Sequence, residues 1–266
     1  MKDRSSFEKP ILRFGFIGTG NITTALVEGL CTSQEAPESI LVSPRNAAKA
    51  AKLAAEFTHV HVAEDNQAVI DGSDVVFLGL RPKIAPEVLP QLHFREDQKI
   101  VSLIALAPID LIKGLIGESH HVFRAVPLPT VARHEGPVVL YPDDPEIADV
   151  FKKVGTLFVV SSEKDIGLLA TVTALISPFF ALMDTISEWA VTEGIEKNLA
   201  RQYTASMFNG LTFQAMAMEK TKFSELAAEA ATPGGLNEQA LAIVNAKGGM
   251  SVFLEALNAV AARLGD

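Results

Sequence analysis

The sequence has one cysteine, Cys31, one tryptophan, Trp189, and two tyrosines in 266 residues. A single thiol excludes an intramolecular disulfide and a cysteine-based zinc site, and it fits a reducing, cytoplasmic compartment. Histidine is missing beyond residue 134, since all six imidazoles lie at or before His134. Chemistry carried by the C-terminal part must therefore work without imidazole. Basic charge is short as well. The 23 Lys and Arg stand against 32 Asp and Glu, a net charge of −9, and a cut near residue 160 leaves both parts acidic. This argues against a nucleic-acid or anionic-membrane surface. No uninterrupted apolar run approaches the roughly 18 residues expected of a membrane span. The first ten residues, Met1 to Pro10, are polar and carry acids, without the apolar centre of a signal peptide.

What is present divides in two. Residues 11–160 alternate short apolar runs with amphipathic stretches. Ile11–Ile17, Ile40–Ser43, His59–Val62, Asp74–Leu80, Lys99–Leu103, His121–Ala125, Val138–Tyr141 and Leu157–Val160 read as strands, and Ile22–Cys31, Ala47–Phe57 and Asn66–Asp71 as helices. Continuous apolar strands suit a sheet covered on both faces, and strand–helix alternation predicts a parallel α/β sheet. Pro142-Asp143-Asp144-Pro145 reads as a turn leading into a helix. From about residue 161 no strand pattern remains. Ala, Leu and Met recur at helical spacing, with Leu168, Val172, Leu175 and Phe179 as one stripe. Thr232 reads as an N-cap with Pro233 at the first helical position. The expected architecture is a Rossmann-type α/β domain over 1–160 and an all-helical domain over 161–266.

The most informative motif is Phe14-Gly15-Phe16-Ile17-Gly18-Thr19-Gly20-Asn21-Ile22-Thr23, which follows a strand and opens a helix. Gly18 permits the tight turn, Gly20 lets backbone approach a pyrophosphate, and the helix N-terminus offers N–H groups and the positive dipole end. Thr23 stands where a third glycine would be, and is small enough to keep the helix close. An NAD site calls for an acid about 20 residues further on. This chain has Val42-Ser43-Pro44-Arg45-Asn46 there. Ser43, Arg45 and Asn46 offer donors instead, and a guanidinium can bind a 2′-phosphate through paired hydrogen bonds. The cofactor expected is NADP(H).

Over nearly its whole length the sequence resembles the pyrroline-5-carboxylate reductases. The likeness rests on Gly15-Phe16-Ile17-Gly18-Thr19-Gly20-Asn21, on Val42-Ser43-Pro44-Arg45-Asn46, on Asp65-Asn66 and on the segment Asp74 to Lys83. It continues in Phe123-Arg124-Ala125-Val126-Pro127 and ends in Thr232-Pro233-Gly234-Gly235. The resemblance implies a Rossmann domain, a helical dimerisation domain, and an intertwined homodimer or higher homo-oligomer whose active site the partner helps to build. It implies hydride transfer to the C=N carbon of a cyclic imine, giving proline. Carried over residue by residue, it places Gly18, Gly20, Asn21 and Ile22 on the pyrophosphate. Ser43, Arg45 and Asn46 surround the 2′-phosphate, and Asn66 approaches the adenosine ribose. Leu80, Arg81 and Pro82 lie along the cofactor towards nicotinamide. Pro233, Gly234 and Gly235 border the substrate, with Leu236 and Glu238 beside them.

Three substrate-side motifs depart from the family. Val126-Pro127-Leu128-Pro129-Thr130 stands where the family reads Met-Pro-Asn-Thr-Pro. Leu175-Ile176-Ser177-Pro178-Phe179 replaces Gly-Ser-Gly-Pro-Ala. Pro233-Gly234-Gly235-Leu236-Asn237 replaces Pro-Gly-Gly-Thr-Thr. Leu236 cannot donate a hydrogen bond to an imine nitrogen, which leaves Ser177 and Asn237 as candidate catalytic groups. The drift admits two alternatives: a reductase of a different imine, with pyrroline-5-carboxylate reduced slowly, or a catalytically silent NADP-binding dimer. The β-hydroxyacid dehydrogenases also join a Rossmann domain to a helical one. Their Gly-x-x-x-Lys segment has no counterpart, because Gly167-Leu168-Leu169-Ala170-Thr171 carries no lysine. His120 and His121 alternate across a strand and make a poor metal pair, and no metal is expected.

Overall fold

β-Branched and aromatic runs of three to seven residues give the strands, and Ala- and Leu-rich stretches between them give the helices. A computed structural model describes residues 12–265. The polar Met1–Pro10 stretch, Ile11 and Asp266 lie outside the described residues. In chain order the first part comprises β1 (Phe14–Ile17), α1 (Asn21–Cys31), β2 (Ile40–Val42), α2 (Ala47–Glu56), β3 (Val60–Val62), α3 (Asn66–Asp71) and β4 (Val75–Leu78). It continues with α4 (Ala85–Val88), β5 (Lys99–Ser102), α5 (Ile109–Ile116), β6 (His121–Pro127), β7 (Pro137–Tyr141), α6 (Pro145–Lys152) and β8 (Thr156–Val159). Six helices follow: α7 (Glu163–Thr173), α8 (Ile176–Thr192), α9 (Lys197–Ala217), α10 (Phe223–Ala230), α11 (Leu236–Ala246) and α12 (Gly249–Gly265). The chain forms two units, one up to Leu169 and one from Ala170, so the division falls inside α7.

The first unit is one eight-stranded sheet in the order β3-β2-β1-β4-β5-β6-β7-β8. Its strands are apolar without interruption because both faces are covered. Phe14, Phe16, Val75 and Phe77 face one core with Leu26, Leu30 and Phe151. Ile17, Val76 and Leu78 face the other with Ile100, Leu89 and Ile112. Phe77 stacks on Phe16 at 4.6 Å between centroids and meets Phe14 and Phe151 edge-on. The sheet is not wholly parallel as the alternation implies, because β7 runs antiparallel to β6. Only residues 128–136 join the two strands, folded as a 3₁₀ turn over Pro129–Arg133. A parallel return needs a crossover of about a dozen residues or more.

The second unit is helical, but its apolar stripes are not a core. Of its described residues only Thr171, Ala200 and Thr204 are buried. Leu168 and Val172 on α7 and Phe179 on α8 are exposed, as are Trp189 at 64% and Phe213 at 75%. The stretch Glu163–Thr192 is long and apolar enough by length and composition to cross a bilayer. The run-by-run reading passes over it because Thr, Ser, Asp and Glu interrupt the apolar residues. The N-terminus of α11 also differs from expectation. The helix starts at Leu236 with Gly235 as N-cap. Thr232-Pro233-Gly234-Gly235 forms a turn closed by Gly235 N–H on the Thr232 carbonyl at 2.8 Å. Pro233 followed by Gly234 at φ +72° is the pattern of a type II turn, so the chain cannot enter the helix there.

One cluster joins sheet to helix in the first unit. Asp144 caps α6, its Oδ1 accepting the Glu146 and Ile147 N–H groups at 3.0 Å, with Pro145 at the first helical position. The Lys99 ammonium on β5 donates to both Asp144 oxygens at 2.7 Å and lies 2.8 Å from Glu146. Partial burial opposes the charge on Asp144. The Lys99 ammonium and the helix N–H donors more than offset that and hold its carboxyl below the usual carboxylate range. A depressed folded value means stability that is complete above pH about 4 and lost as pH falls through that value. Asp144→Ala is expected to lower the unfolding free energy by about 1–2 kcal/mol at neutral pH, read by urea denaturation. It should also flatten the loss of stability below pH about 4. An unchanged midpoint would remove Asp144 as the anchor of α6.

Candidate functional site

The strand order reverses direction between β1 and β4, and a crevice opens outside the carboxyl ends of strands at such a point. Here it is a cleft of about 370 Å³ lined by Gly20, Asn21, Ile22 and Thr23 from the head of α1, and by Asn46 and Lys49 from α2 and its cap. Gly79, Leu80, Arg81 and Pro82 after β4, with Leu103 and Ala105 after β5, complete it. A second hollow, of about 400 Å³, lies at the amino ends of the strands against Leu12 and Phe14. Its rim carries Glu35, Glu38 and Glu146, a lining that repels phosphate.

The turn into α1 is built to leave main-chain donors free. Gly18 has φ +93°, and a Cβ there would sit 2.6 Å from the Gly79 carbonyl oxygen. Gly20 is the N-cap, and around it the fold leaves room, the nearest atom to an added Cβ being Gly79 O at 3.9 Å. Fold packing therefore does not demand a glycine at 20, whereas close approach of a ligand would. No side chain caps α1 and its first turn holds no acid. The first helical hydrogen bond is Thr24 N–H to Gly20 O. The N–H groups of Thr19, Gly20, Asn21 and Ile22 have no acceptor among the described residues. An uncapped helix head with spare N–H groups is an anion site in charge and geometry, and it fits a pyrophosphate.

The loop after β2 holds that turn from below. Ser43 Oγ accepts the Gly18 N–H at 2.9 Å, and Thr19 Oγ1 donates to the Ser43 carbonyl at 3.0 Å. Asn46, in the left-handed region at φ 66°, donates from Nδ2 to the Thr19 carbonyl at 3.1 Å. Ser43 is wholly buried. Its hydroxyl lies beneath the glycine turn, bonded to Gly18 N–H. Arg45 is exposed, with no hydrogen bond or ion pair among the described residues. Lys49, one turn into α2, donates to Asn21 Oδ1. Sequence reading missed Lys49, which lies in the first turn of α2 and reaches the cleft from there. It also missed Leu103 and Ala105, which follow the strand next to β4. Leu80 is buried, Arg81 and Pro82 exposed. Asn66 opens α3 behind the Asp65 cap and is not among the residues lining the cleft.

In the helical unit Pro233, Gly234, Gly235, Leu236, Asn237 and Glu238 form one turn and helix head. Glu238 Oε2 accepts the Gly234 N–H at 2.8 Å, and Asn237 Nδ2 donates to the Ala230 carbonyl at 3.1 Å. One N–H of the Asn237 amide and one Glu238 oxygen are thus occupied by this unit's own backbone. Leu236 is 85% exposed. Ser177 is exposed in the first turn of α8, on a different helix.

Comparison with known proteins follows the same division. Residues 13–106 match the family model described as NADP oxidoreductase coenzyme F420-dependent. Residues 167–265 match the model for pyrroline-5-carboxylate reductase dimerisation. The chain is 26% identical over 262 residues to the pyrroline-5-carboxylate reductase of Pseudomonas aeruginosa, covering 94% of this chain and 95% of that one. In fold it resembles a pyrroline-5-carboxylate reductase from Coxiella burnetii, with a TM-score of 0.83, 24% identity and coverage of 96% and 98%. It also resembles the Plasmodium falciparum pyrroline carboxylate reductase solved with NADP bound, with a TM-score of 0.82, 15% identity and coverage of 95% and 97%. With a cofactor-domain model at one end, a dimerisation model at the other and relatives aligned over nearly the full length, the chain is similar to the pyrroline-5-carboxylate reductases from end to end.

Proposed function

We propose that the protein reduces the C=N bond of a small cyclic imine, pyrroline-5-carboxylate, to proline at the expense of NADPH, and that it works as a homodimer in the cytoplasm. The observation that carries the reading is the uncapped head of α1. Its free N–H groups stand behind a rigid glycine turn, with the cations Arg45 and Lys49 at one end and no acid after β2. When bound, NADPH supplies a hydride to the imine carbon while the nitrogen takes a proton. The chain's own residues bind and orient. The α1 head meets the pyrophosphate, Arg45 with Asn46 and Lys49 meets the 2′-phosphate, and Leu80, Arg81 and Pro82 with Leu103 and Ala105 line the way to nicotinamide. Pro233, Gly234, Gly235, Leu236 and Glu238 border the substrate, and Ser177 and Asn237 are the polar groups offered to its nitrogen. A protonated iminium is already electrophilic, so proximity and orientation can carry much of the rate. The drift at Leu236 is no ground for a different substrate, given full-length likeness to pyrroline-5-carboxylate reductases. The cytoplasm suits Cys31, a half-buried thiol pushed up to about 11 by burial and therefore protonated at neutral pH.

The homodimer rests on the helical unit. With only Thr171, Ala200 and Thr204 buried among its described residues from Ala170 onward, the helical unit presents an apolar surface that another copy would cover. Large contiguous apolar patches mark association surfaces. Sedimentation at micromolar concentration should show a dimer or larger assembly, and a stable monomer would refute it.

Two kinetic outcomes are expected. Arg45→Glu should weaken NADPH binding by about 10- to 100-fold, the worth of a hydrogen bond to a charged group, with little change for NADH. Equal loss of both cofactors would remove Arg45 as the phosphate reader. Wild-type protein should turn over pyrroline-5-carboxylate with NADPH at a rate on the order of 10 s⁻¹. Leu236→Thr should raise kcat/KM by about three- to tenfold by supplying a donor. Bound NADPH without turnover would defeat the reductase reading while leaving the cofactor site intact.

A further inference from the structure

Thr23 occupies the place of the third glycine of the dinucleotide turn, and smallness alone does not explain how it fits. Its side chain is wholly buried. The hydroxyl donates to the Gly18 carbonyl at 2.7 Å. Room for it comes from the residue just after β4, where a Cβ on Gly79 would collide with Thr23 Oγ1 and lie 3.0 Å from the Gly18 carbonyl oxygen. Gly79 is itself fixed, its N–H bonded to the Ile17 carbonyl at 2.8 Å. The Gly18 carbonyl is thereby drawn inward, towards α1 and β4. In a trans peptide the C=O and the following N–H point in opposite directions, so the same bond turns the Thr19 N–H away from the protein interior. That N–H has no acceptor among the described residues.

We propose that Thr23 and Gly79 form a complementary pair that sets the peptide after Gly18, making Thr23 a positioning residue for the pyrophosphate of the bound dinucleotide. This rests on reading the cleft as the NADP(H) site. The hydroxyl does the orienting, and the missing Cβ at 79 makes space for it. The pair replaces the close helix–strand contact that a third glycine ordinarily provides, and it adds a hydrogen bond that a glycine lacks.

The experiment measures dissociation constants for NADPH and for adenosine 2′-monophosphate, which lacks the pyrophosphate. The variants are Thr23→Val, Gly79→Ala and the double variant Thr23→Ala/Gly79→Ala, with urea midpoints alongside. Thr23→Val keeps the shape and loses the donor. It should weaken NADPH by about three- to tenfold, the worth of one hydrogen bond, and leave adenosine 2′-monophosphate unchanged. Gly79→Ala should weaken NADPH by more than tenfold, because Thr23 is forced off the Gly18 carbonyl. In the double variant the clashing oxygen is gone. What remains nearest the new Cβ is the Gly18 carbonyl oxygen at 3.0 Å, which a small shift relieves, so NADPH affinity should recover most of the way to that of Thr23→Val. A double variant no better than Gly79→Ala, or a Thr23→Val that binds NADPH as wild type does, would overturn the proposal. So would equal weakening of both ligands, which would mark a general loss of structure. A wild-type protein that binds NADPH no more tightly than adenosine 2′-monophosphate would instead overturn the cofactor reading itself, and the pair with it.

Discussion

In the glycine turn and at the head of α1, the N–H groups of Thr19, Gly20, Asn21 and Ile22 have no acceptor among the described residues, and much of the first unit is arranged to hold them so. A helix ordinarily satisfies these donors with a side-chain cap. α6 does so with Asp144, α3 with Asp65 and α9 with Glu196. α1 has glycine there and no acid in its first turn. Leaving donors unpaired is unfavourable, and it is sustained by rigidity from other elements. Ser43 anchors the Gly18 N–H, Asn46 anchors the Thr19 carbonyl and Thr23 anchors the Gly18 carbonyl. The outcome is a preformed anion seat at the reversal of the strand order.

Charge is distributed to match. The chain is acidic overall at −9, yet the end of β2 and the first turn of α2 carry Arg45 and Lys49. Net charge describes solubility and long-range fields, whereas a phosphate responds to the groups within a few ångströms. Acidic groups elsewhere act structurally. Asp144 and Glu146 hold Lys99, and Glu163 accepts both the Arg124 guanidinium and the Ile109 N–H that opens α5.

The helical unit obeys a different constraint. Its helices are amphipathic in sequence but have too few partners in one chain to bury their apolar faces. The side chains there that the spacing marks as core, Val172 and Phe179, therefore stand exposed. The stretch Glu163–Thr192 passes for a membrane helix by length and composition. Apolar surface meant for another protein surface and apolar surface meant for lipid share one signature in a single chain.

By itself the sequence determined the strand–helix alternation, the helical second half, the glycine turn and the cofactor class. Each depends on local periodicity or on contiguous residues, which one chain displays directly. Contacts between distant segments were decided only by the tertiary structure. Ser43 reads as one more donor after β2 until the sheet places it beneath Gly18, where its hydroxyl accepts the Gly18 N–H. Thr23 reads as a small substitute until Gly79, from another strand, is seen to make its space. Lys49, Leu103 and Ala105 enter the cleft only because α2 and the end of β5 converge on the head of α1. The antiparallel β7 and the late start of α11 at Leu236 belong here too, since loop length and a turn at Gly234 overrode the local pattern. Periodicity reports which way a side chain faces along its own element, and only folding decides what stands opposite it.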